Sequence, residues 1–337
     1  MNKKSNIDID KMKLIKIIGR GMYGTVYLSK YKQKLFAYKI EHILEKDIHN
    51  KKSNIWKEIN FSIKFANNYK DQFMTLYNYD ILNNCDHKQD HIWDISFFNN
   101  KLQKEFTDLS NSNYCIRKIY SLVDNTLGEI INTLTKEQIY SFIIQFSYII
   151  YLLETNNYIH GDIHQNNIGV IKTSKKYIKI LNNKVPTFGY IYQLIDYGRV
   201  LHKKDIISKT DKQTYYNLYG NEVDFILTIL LSNLPLTNYI KKNKIEANEM
   251  NVRKTFPNSN EDIILNTFCN NDDDKCRNYK FNLYKILYPE SYQKELLGNK
   301  FKKVIEPILR IDLIDILYIL KTNFDKHKII DYFMLKL

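Results

Sequence analysis

The spacing of apolar residues predicts strands near the N-terminus and a helix after them. Apolar and polar positions alternate in short runs over residues 12–40, and a glycine-rich turn interrupts the alternation. A period of two is typical of half-buried strands, so this segment predicts antiparallel strands joined by hairpins. From Lys51 to Ala66 the apolar residues recur at helical spacing, at Ile55, Ile59, Ile63 and Phe65. This part of the chain therefore predicts a small mixed unit.

The pattern changes further along the chain. Residues 67–114 are rich in Asn, Asp and His and have poor periodicity, which predicts an irregular insertion with one strand near Phe73–Tyr77. Helical spacing returns after Lys136, in the segments Ile139–Leu153, Glu222–Leu231, Asp262–Phe268 and Val304–Leu320. The expected fold class is α+β, with a β-rich part over residues 1–121 and a mainly helical part over residues 122–337.

Length and composition indicate a folded protein of two lobes or domains. The chain has 337 residues, of which 44% are hydrophobic and 14% aromatic, enough to bury a large core. The longest mostly apolar segment, Ile139–Leu153, falls short of the ~20 residues that span a bilayer. No apolar run follows the lysines near the N-terminus. We therefore expect no secretory signal, no transmembrane segment and a cytoplasmic protein.

The charge of the chain is a weak indication of its partners. Lys and Arg number 50 against 37 Asp and Glu, which gives a formal net charge of +13. Such a charge suits a nucleic acid, an acidic protein or an anionic membrane surface. The lysines are spread along the chain, however, and Asn, Lys, Ile and Tyr are over-used throughout, as an AT-rich coding sequence would produce. A basic nucleic-acid-binding protein is thus an alternative that rests on charge alone.

The cysteines predict free thiols. The four of them are few and widely scattered, which is typical of a protein from a reducing compartment: Cys85, Cys115, Cys269 and Cys276. Cys85 could bind zinc together with His87 and His91, but no second closely spaced pair completes such a site. We therefore do not expect a zinc site.

Three glycines near the N-terminus form the first candidate site. Gly19, Gly21 and Gly24 lie within six residues, although the whole chain has only ten glycines. Apolar residues among positions 15–18 and at Val26 indicate a strand–turn–strand, whereas a dinucleotide-binding fold needs a strand–turn–helix. Glycines in such a turn let backbone N–H groups approach phosphate oxygens. The loop predicts a cover over phosphates, with an ordinary hairpin loop as the alternative.

A lysine inside an apolar strand is the second candidate. Lys39 lies in the run Phe36–Ile40, where an unpaired ammonium group would be costly. Glu58, on the helix predicted at residues 51–66, is the natural partner and would leave the ammonium directed toward ligand phosphates. Alternatively, the lysine extends to solvent without a partner.

Two polar loops carry the acids and amides. In Tyr158–Ile168, Asp162 and Asn167 stand five residues apart, which suits a carboxylate that accepts a hydroxyl proton and an amide oxygen that binds magnesium. Asp196 ends a later strand and would supply a second metal ligand, although one aspartate at such a position is more often a turn residue. Residues 172–188, between the two loops, predict a long polar hairpin.

Together these motifs resemble the protein-kinase superfamily, from about Leu14 to about Asp224. The matching segments are Gly19–Val26 for the glycine-rich loop, Ala37–Lys39 for the strand lysine, Glu58 for its helix partner, His160–Asn167 for the catalytic loop, Asp196–Gly198 for the metal-binding motif and Asp224 for the aspartate that supports the catalytic loop. His-Gly-Asp-Ile and Ile-Asp-Tyr-Gly are most similar to the vaccinia-related and casein-kinase-one branch, and His164 to haspin-like and small-molecule phosphotransferase patterns. With the AT-rich residue usage, the resemblance implies a viral kinase-like protein.

The resemblance implies a bilobal fold, with a small β-rich N-lobe at residues 1–121 that contains the insertion at 67–114, and a larger helical C-lobe at 122–337. It implies ATP- and Mg²⁺-dependent transfer of the γ-phosphoryl group to Ser or Thr hydroxyls of an acidic or nucleic-acid-associated protein, by a monomer in the cytoplasm of a host cell. The implied site residues are Asp162 as base, Asn167 and Asp196 as magnesium ligands, Lys39 with Glu58 as phosphate clamp, His164 beside the transferred group, and Ile18, Gly19, Gly21, Gly24, Val26 and Ala37 around the nucleotide.

Four departures from the family pattern favour alternatives. Gly161 stands where regulated kinases carry an arginine that binds a phosphorylated loop, so we expect no such control. His164 replaces a lysine and Gly169 replaces the large apolar residue beneath the adenine. The segment from Asp196 to Asp224 is short and lacks an Ala-Pro-Glu-like motif. The alternatives are an inactive kinase-like scaffold, favoured by the last two departures, and a small-molecule phosphotransferase.

Overall fold

The structure is a computed structural model, and it describes residues 7–21, 24–85, 100–205, 318 and 325–337. The chain divides into two compact units, which comprise Met1–Ile130 with Tyr148–Glu222 and Ile131–Ser147 with Val223–Leu337. The described residues have a mixed α+β structure whose N-terminal region is rich in strands, as the sequence predicted.

A five-stranded sheet dominates the N-terminal region. Its strands are β1 (Lys13–Arg20), β2 (Gly24–Tyr31), β3 (Lys34–His42), β4 (Leu76–Asn83) and β5 (Tyr114–Tyr120). They lie in the order β1-β2-β3-β5-β4, and every pairing is antiparallel. Alternate residues of β3, from Phe36 through Tyr38 to Ile40, pack in one apolar cluster with Ile119. The strands predicted over residues 12–40 are thus confirmed.

The helix predicted at residues 51–66 is also confirmed. It is α2 (Asn54–Lys64), and it follows a short helix, α1 (Glu45–Ile48). The residues of α2 that are buried are Glu58, Ile59, Phe61 and Ser62. Because Glu58 is only 3% exposed, this helix carries a carboxylate into the interior together with its apolar side chains.

The segment at residues 67–114 is more regular than the sequence predicted. It contains strand β4 and the helix α3 (Asn100–Ser110), and β4 begins near the end of the strand predicted at Phe73–Tyr77. Strand β4 lies at the edge of the sheet, and most of its side chains are half-buried. Burial on neither face was deep enough to select a clear alternation of apolar and polar residues, and this is why the predicted bounds of the strand differ from the observed ones.

Shorter strands form the rest of the first unit. They are β6 (Asn125–Thr126), β7 (Tyr158–Ile159), β8 (Ile168–Lys172), β9 (Tyr177–Ile180), β10 (Asn183–Pro186), β11 (Tyr190–Leu194) and β12 (Leu201–His202), with helix α4 (Leu127–Ile130) after β6. Strands β11, β8 and β6 form one sheet, and β12 pairs with β7. The pairing of β9 with β10 confirms the hairpin predicted at residues 172–188.

Helix α5 (Lys136–Thr155) confirms the helix predicted at Ile139–Leu153; it begins in the second unit and ends in the first. Within the second unit, Tyr140 packs against Phe333 of helix α6 (Lys326–Met334), with ring centroids 5.0 Å apart. Of the other predicted helices, Glu222–Leu231 and Asp262–Phe268 lie outside the described residues, as does all of Val304–Leu320 except Tyr318. Among the described helices, none has the length and apolarity needed to cross a membrane.

The expectation of free thiols is wrong for two of the cysteines. Cys85 and Cys115 form a disulfide, with Cα atoms 5.6 Å apart. The pairing of β4 with β5 brings them together, because Cys115 lies opposite Leu82 in β4 and Cys85 comes soon after the end of β4. Their separation of 30 residues in the sequence concealed this contact. The cysteine count therefore no longer supports an intracellular location; Cys269 and Cys276 lie outside the described residues.

We predict that reduction of this disulfide lowers the free energy of unfolding by about 3 kcal/mol, because the bond closes a loop and so restricts the unfolded chain. The measurement is chemical unfolding with and without reductant. In a Cys85→Ser/Cys115→Ser variant, reductant should have little further effect. A wild-type protein that unfolds equally in both conditions would contradict the role of the bond.

Candidate active site

Backbone hydrogen bonds hold the two predicted polar loops side by side. The first loop follows β7 and contains His160 before a single 3-10 turn at Gln165–Asn167. Ile195 N donates to Asn167 O at 3.0 Å, and Ile195 O lies 3.0 Å from Nε2 of His160. Because Ile195 immediately precedes Asp196, these bonds bring the second loop against the first.

His160 and Tyr197 fill the interior behind the loops. Burial lowers the pKa of His160, so its imidazole stays neutral and donates from Nε2 to the Ile195 carbonyl. Tyr197 packs edge-on against this ring, and its hydroxyl lies 2.8 Å from Leu194 O. Phe61 of α2 packs against Tyr197 with ring centroids 4.8 Å apart. The aromatic residue after Asp196 therefore ties the loops to helix α2.

Asp162 and Asn167 keep their side chains in defined positions. The Asn167 amide donates from Nδ2 to the Asp162 carbonyl oxygen at 2.9 Å. Its remaining polar atom, Oδ1, is an acceptor suited to a cation. The Asp162 carboxylate is about one-third exposed and lies 3.4 Å from Nη1 of Arg199. It can therefore reach a solvent-borne hydroxyl while it stays in contact with a guanidinium.

Arg199 is a residue that the sequence analysis missed. A Cβ atom at Gly161 would lie 2.6 Å from Arg199 O, and Gly161 has a φ of +79°, so only glycine fits there without strain. The glycine in place of an arginine thus makes room for the Arg199 backbone, while the Arg199 side chain brings a positive charge to Asp162. The sequence feature that could have identified Arg199 is that a basic residue directly follows Asp-Tyr-Gly.

Asp196 and Lys39 meet although they stand 157 residues apart in the sequence. The Lys39 ammonium lies 3.1 Å from Oδ1 of Asp196, whose side chain is about half exposed. The positive charge of Lys39 holds the pKa of Asp196 well below its usual range. Asp196 has a φ of +57°, a left-handed conformation that is unfavourable for a residue with a Cβ. The surrounding contacts hold this carboxylate, always ionised, at the open side of the site.

The predicted pair of Lys39 with Glu58 is wrong as a direct contact. Lys39 Nζ instead lies 2.7 Å from Oε1 of Glu41, two residues further along β3. Burial disfavours the charged form of Lys39, but the carboxylates of Asp196 and Glu41 outweigh it and hold the pKa of the ammonium well above its usual value. Lys39 therefore does not extend to solvent unpaired, which was the alternative.

Glu58 is paired with a second buried lysine, Lys118 of β5. Nζ of Lys118 lies 2.8 Å from Oε2 of Glu58 and also contacts Oε2 of Glu41. The hydroxyl of Tyr120 donates to Oε1 of Glu58 at 2.7 Å. Lys118 lies directly opposite Lys39 in the register of β3 and β5. Its ammonium, and not that of Lys39, contacts the carboxylate of Glu58 on the helix. The sequence feature that could have identified Lys118 is its position, beside an arginine, within the otherwise apolar strand Cys-Ile-Arg-Lys-Ile-Tyr.

The third glycine of the loop has a packing role. Gly24 faces Glu41 across β2 and β3, and a Cβ atom on Gly24 would overlap with Ile40 O and with Cγ of Glu41. Gly21 has more room, since its Cβ would lie 3.9 Å from Gly24 O. A Cβ atom on Gly19 would likewise lie 3.6 Å from its nearest described neighbour, Val26. Gly24 is therefore fixed by the charged network beneath it.

The apolar residues expected around the nucleotide lie on β1, β2 and β3. Ile18 is 44% exposed, whereas Ala37 is buried. Gly169, where the resemblance implies a large apolar residue, has no room for one, because a Cβ atom there would lie 2.5 Å from Cγ1 of Val123. Val123 thus fills the space that a larger residue at Gly169 would occupy.

His164 has a structural role in its loop. It is the N-cap of the 3-10 turn at Gln165–Asn167, and its Nδ1 accepts a hydrogen bond from Asn166 N at 3.2 Å. An accepting Nδ1 carries no proton, so in this arrangement the ring orders the turn that ends at Asn167.

No model of a known protein family matches the chain, and a search of curated proteins finds no match. The function must therefore be argued from the site itself.

We predict that Gly24→Ala lowers the free energy of unfolding by about 1–3 kcal/mol, because the added methyl group meets backbone and Glu41. Gly21→Ala is the matched control, since its methyl group meets no atom closely, and it should change stability by much less. Thermal or denaturant unfolding of both variants measures this. Equal stability of the two variants would contradict the packing role of Gly24.

We also predict that His164→Asn behaves like the wild type, since asparagine can cap the same turn, whereas His164→Ala loses about 1 kcal/mol of unfolding free energy. Unfolding and rate measurements on both variants separate capping from chemistry. If His164→Asn is as stable as the wild type but transfers phosphoryl groups more slowly, the imidazole acts in the reaction as the family resemblance implied.

Proposed function

We propose that this chain is an ATP- and Mg²⁺-dependent protein kinase that transfers the γ-phosphoryl group to Ser or Thr hydroxyls. The observation that carries the proposal is the contact of Lys39 with Asp196 at 3.1 Å, in a site where hydrogen bonds also join the loops of Asp162 and Asp196. A buried lysine, an exposed acid and an ordered amide so close together suit phosphoryl transfer, which depends on positioning and charge.

The oxygen donors of the site fit a magnesium ion. Asp196 offers an ionised, half-exposed carboxylate and Asn167 an amide oxygen, and Mg²⁺ binds through one or two such ligands together with phosphates and water. When bound, the ion would neutralise charge on the phosphates. Asp162 would accept the proton of the attacking hydroxyl, and Lys39 would hold the phosphate oxygens.

The wider expectations belong to the same proposal. They are the bilobal kinase fold with lobes at residues 1–121 and 122–337, a protein substrate that is acidic or nucleic-acid-associated, a monomeric state and a cytoplasmic location. Asp224, which the family resemblance implies as a support of the catalytic loop, lies outside the described residues.

An inactive scaffold is the second candidate, and two observations favour it. Lys39 already contacts two carboxylates, Glu41 and Asp196, which leaves one of its three N–H donors for a nucleotide phosphate. Val123 also crowds the floor beneath the expected adenine position at Gly169. A scaffold has no need of Asp162, Asn167 and Lys39 in this arrangement, which is why we prefer the kinase.

We predict that Asp196→Asn and Asp162→Asn both abolish phosphoryl transfer, by different routes. Asp196→Asn removes a charged magnesium ligand and should weaken Mg²⁺-dependent ATP binding at least about tenfold, whereas Asp162→Asn should leave ATP affinity nearly unchanged. Calorimetry with ATP and Mg²⁺ measures the affinities. Labelled ATP offered with casein, histone or small alcohols measures transfer and its substrate class.

The outcomes separate the candidates. Label on protein serine or threonine supports the kinase, and label on small alcohols supports the small-molecule phosphotransferase. Binding of ATP without any transfer supports the scaffold. An equal loss of ATP affinity in the two variants would contradict the roles given to the two aspartates.

A further inference from the structure

We propose that Glu41, rather than Glu58, is the carboxylate that positions Lys39 toward the nucleotide phosphates, an inference that rests on the proposed function. Lys39 and Glu41 are two residues apart on β3, so their side chains emerge on the same face of the strand. The ammonium and Oε1 of Glu41 lie 2.7 Å apart, and Glu41 is only 5% exposed. This is a short, desolvated ion pair within a single strand.

The neighbouring residues are arranged to accommodate Glu41. Its Cγ lies where a Cβ of Gly24 would be, so the glycine opposite on β2 supplies the necessary space. Oε2 of Glu41 contacts the ammonium of Lys118. Glu41 thus bridges the two buried lysines, one through each carboxylate oxygen.

Glu58 makes its contacts with other partners through both of its oxygens. Oε2 lies 2.8 Å from the ammonium of Lys118, and Oε1 accepts from the hydroxyl of Tyr120 at 2.7 Å. The described contacts form one chain in the order Asp196, Lys39, Glu41, Lys118, Glu58 and Tyr120. By contact, Glu58 is linked to Lys39 through Lys118 and Glu41, while its negative charge also acts on Lys39 from a distance and helps to raise the pKa of the ammonium.

The arrangement has a consequence for control of the site. A pair between a strand lysine and a helix glutamate breaks when the helix moves away from the sheet. Lys39 and Glu41 lie on one strand, so their separation depends on β3 alone. The carboxylate in direct contact with Lys39 on the sheet therefore does not move with α2.

Two double variants test the proposal with matched charges. Lys118→Met/Glu41→Gln and Lys118→Met/Glu58→Gln each remove one lysine and one carboxylate charge, and they differ only in which carboxylate remains. The first should have a kcat at least about tenfold below that of the second, because it leaves Lys39 without its strand partner. The KM for protein substrate should be similar in both. Equal kcat values, or the opposite order, would overturn the proposal.

A measurement of stability tests the pairing without any activity. Double-mutant cycles on denaturant midpoints combine Lys39→Met with Glu41→Gln in one cycle and with Glu58→Gln in the other. The midpoint shifts should be clearly non-additive for Glu41 and nearly additive for Glu58. Stronger coupling to Glu58 would overturn the proposal even if a double variant of the kinetic test fails to fold.

The two tests also separate this inference from the proposed function. If the wild type binds no Mg²⁺–ATP while the cycles couple Lys39 to Glu41, the kinase proposal fails. The proposed role of Glu41 toward a nucleotide then fails as well, although its pairing with Lys39 is supported. If the wild type transfers phosphoryl groups while the cycles couple Lys39 to Glu58, the kinase proposal stands and this inference fails.

Discussion

Two lysines in the central strands of the sheet, one fully buried and one only 14% exposed, set the main constraint on this structure. Lys39 and Lys118 stand opposite each other on β3 and β5, and Lys118 is entirely buried. Two ammonium groups so placed repel each other and have lost most of their hydration, so the fold is stable only if carboxylates surround them. Three elements supply these: β3 itself, helix α2 and the loop that carries Asp196.

This constraint explains features that otherwise have no common cause. Gly24 has no side chain because Glu41 needs the space, and Glu58 is buried on α2 beside Ile59 and Phe61 because it pairs with Lys118. Asp196 keeps a left-handed backbone conformation at the edge of the same network. Neutralising the lysines thus fixes the glycine loop, the helix and the acidic loop relative to one another within the first unit.

The sequence revealed the parts of the site that depend on local spacing. The loops around Asp162 and Asp196, the strands before residue 42 and helix α2 could be predicted because each is set by residues close in the chain. The partner of Lys39 could not, because it depends on the register of β3 with β5. The disulfide depends in the same way on the pairing of β4 with β5, and Arg199 acts through a contact that only a folded loop creates.

The departures from the kinase pattern also look different when their contacts are known. Two of the departing residues, Gly161 and Gly169, meet neighbours distant in the sequence that take up their space. Arg199 O approaches Gly161, the side chain of Val123 fills the space at Gly169, and Lys118 takes the carboxylate of Glu58. Considered singly, the glycines suggest a damaged site. Considered with their contacts, they belong to a differently packed site that keeps its lysine, its acids and its amide, and this is the physical reason to prefer catalysis over an inert scaffold.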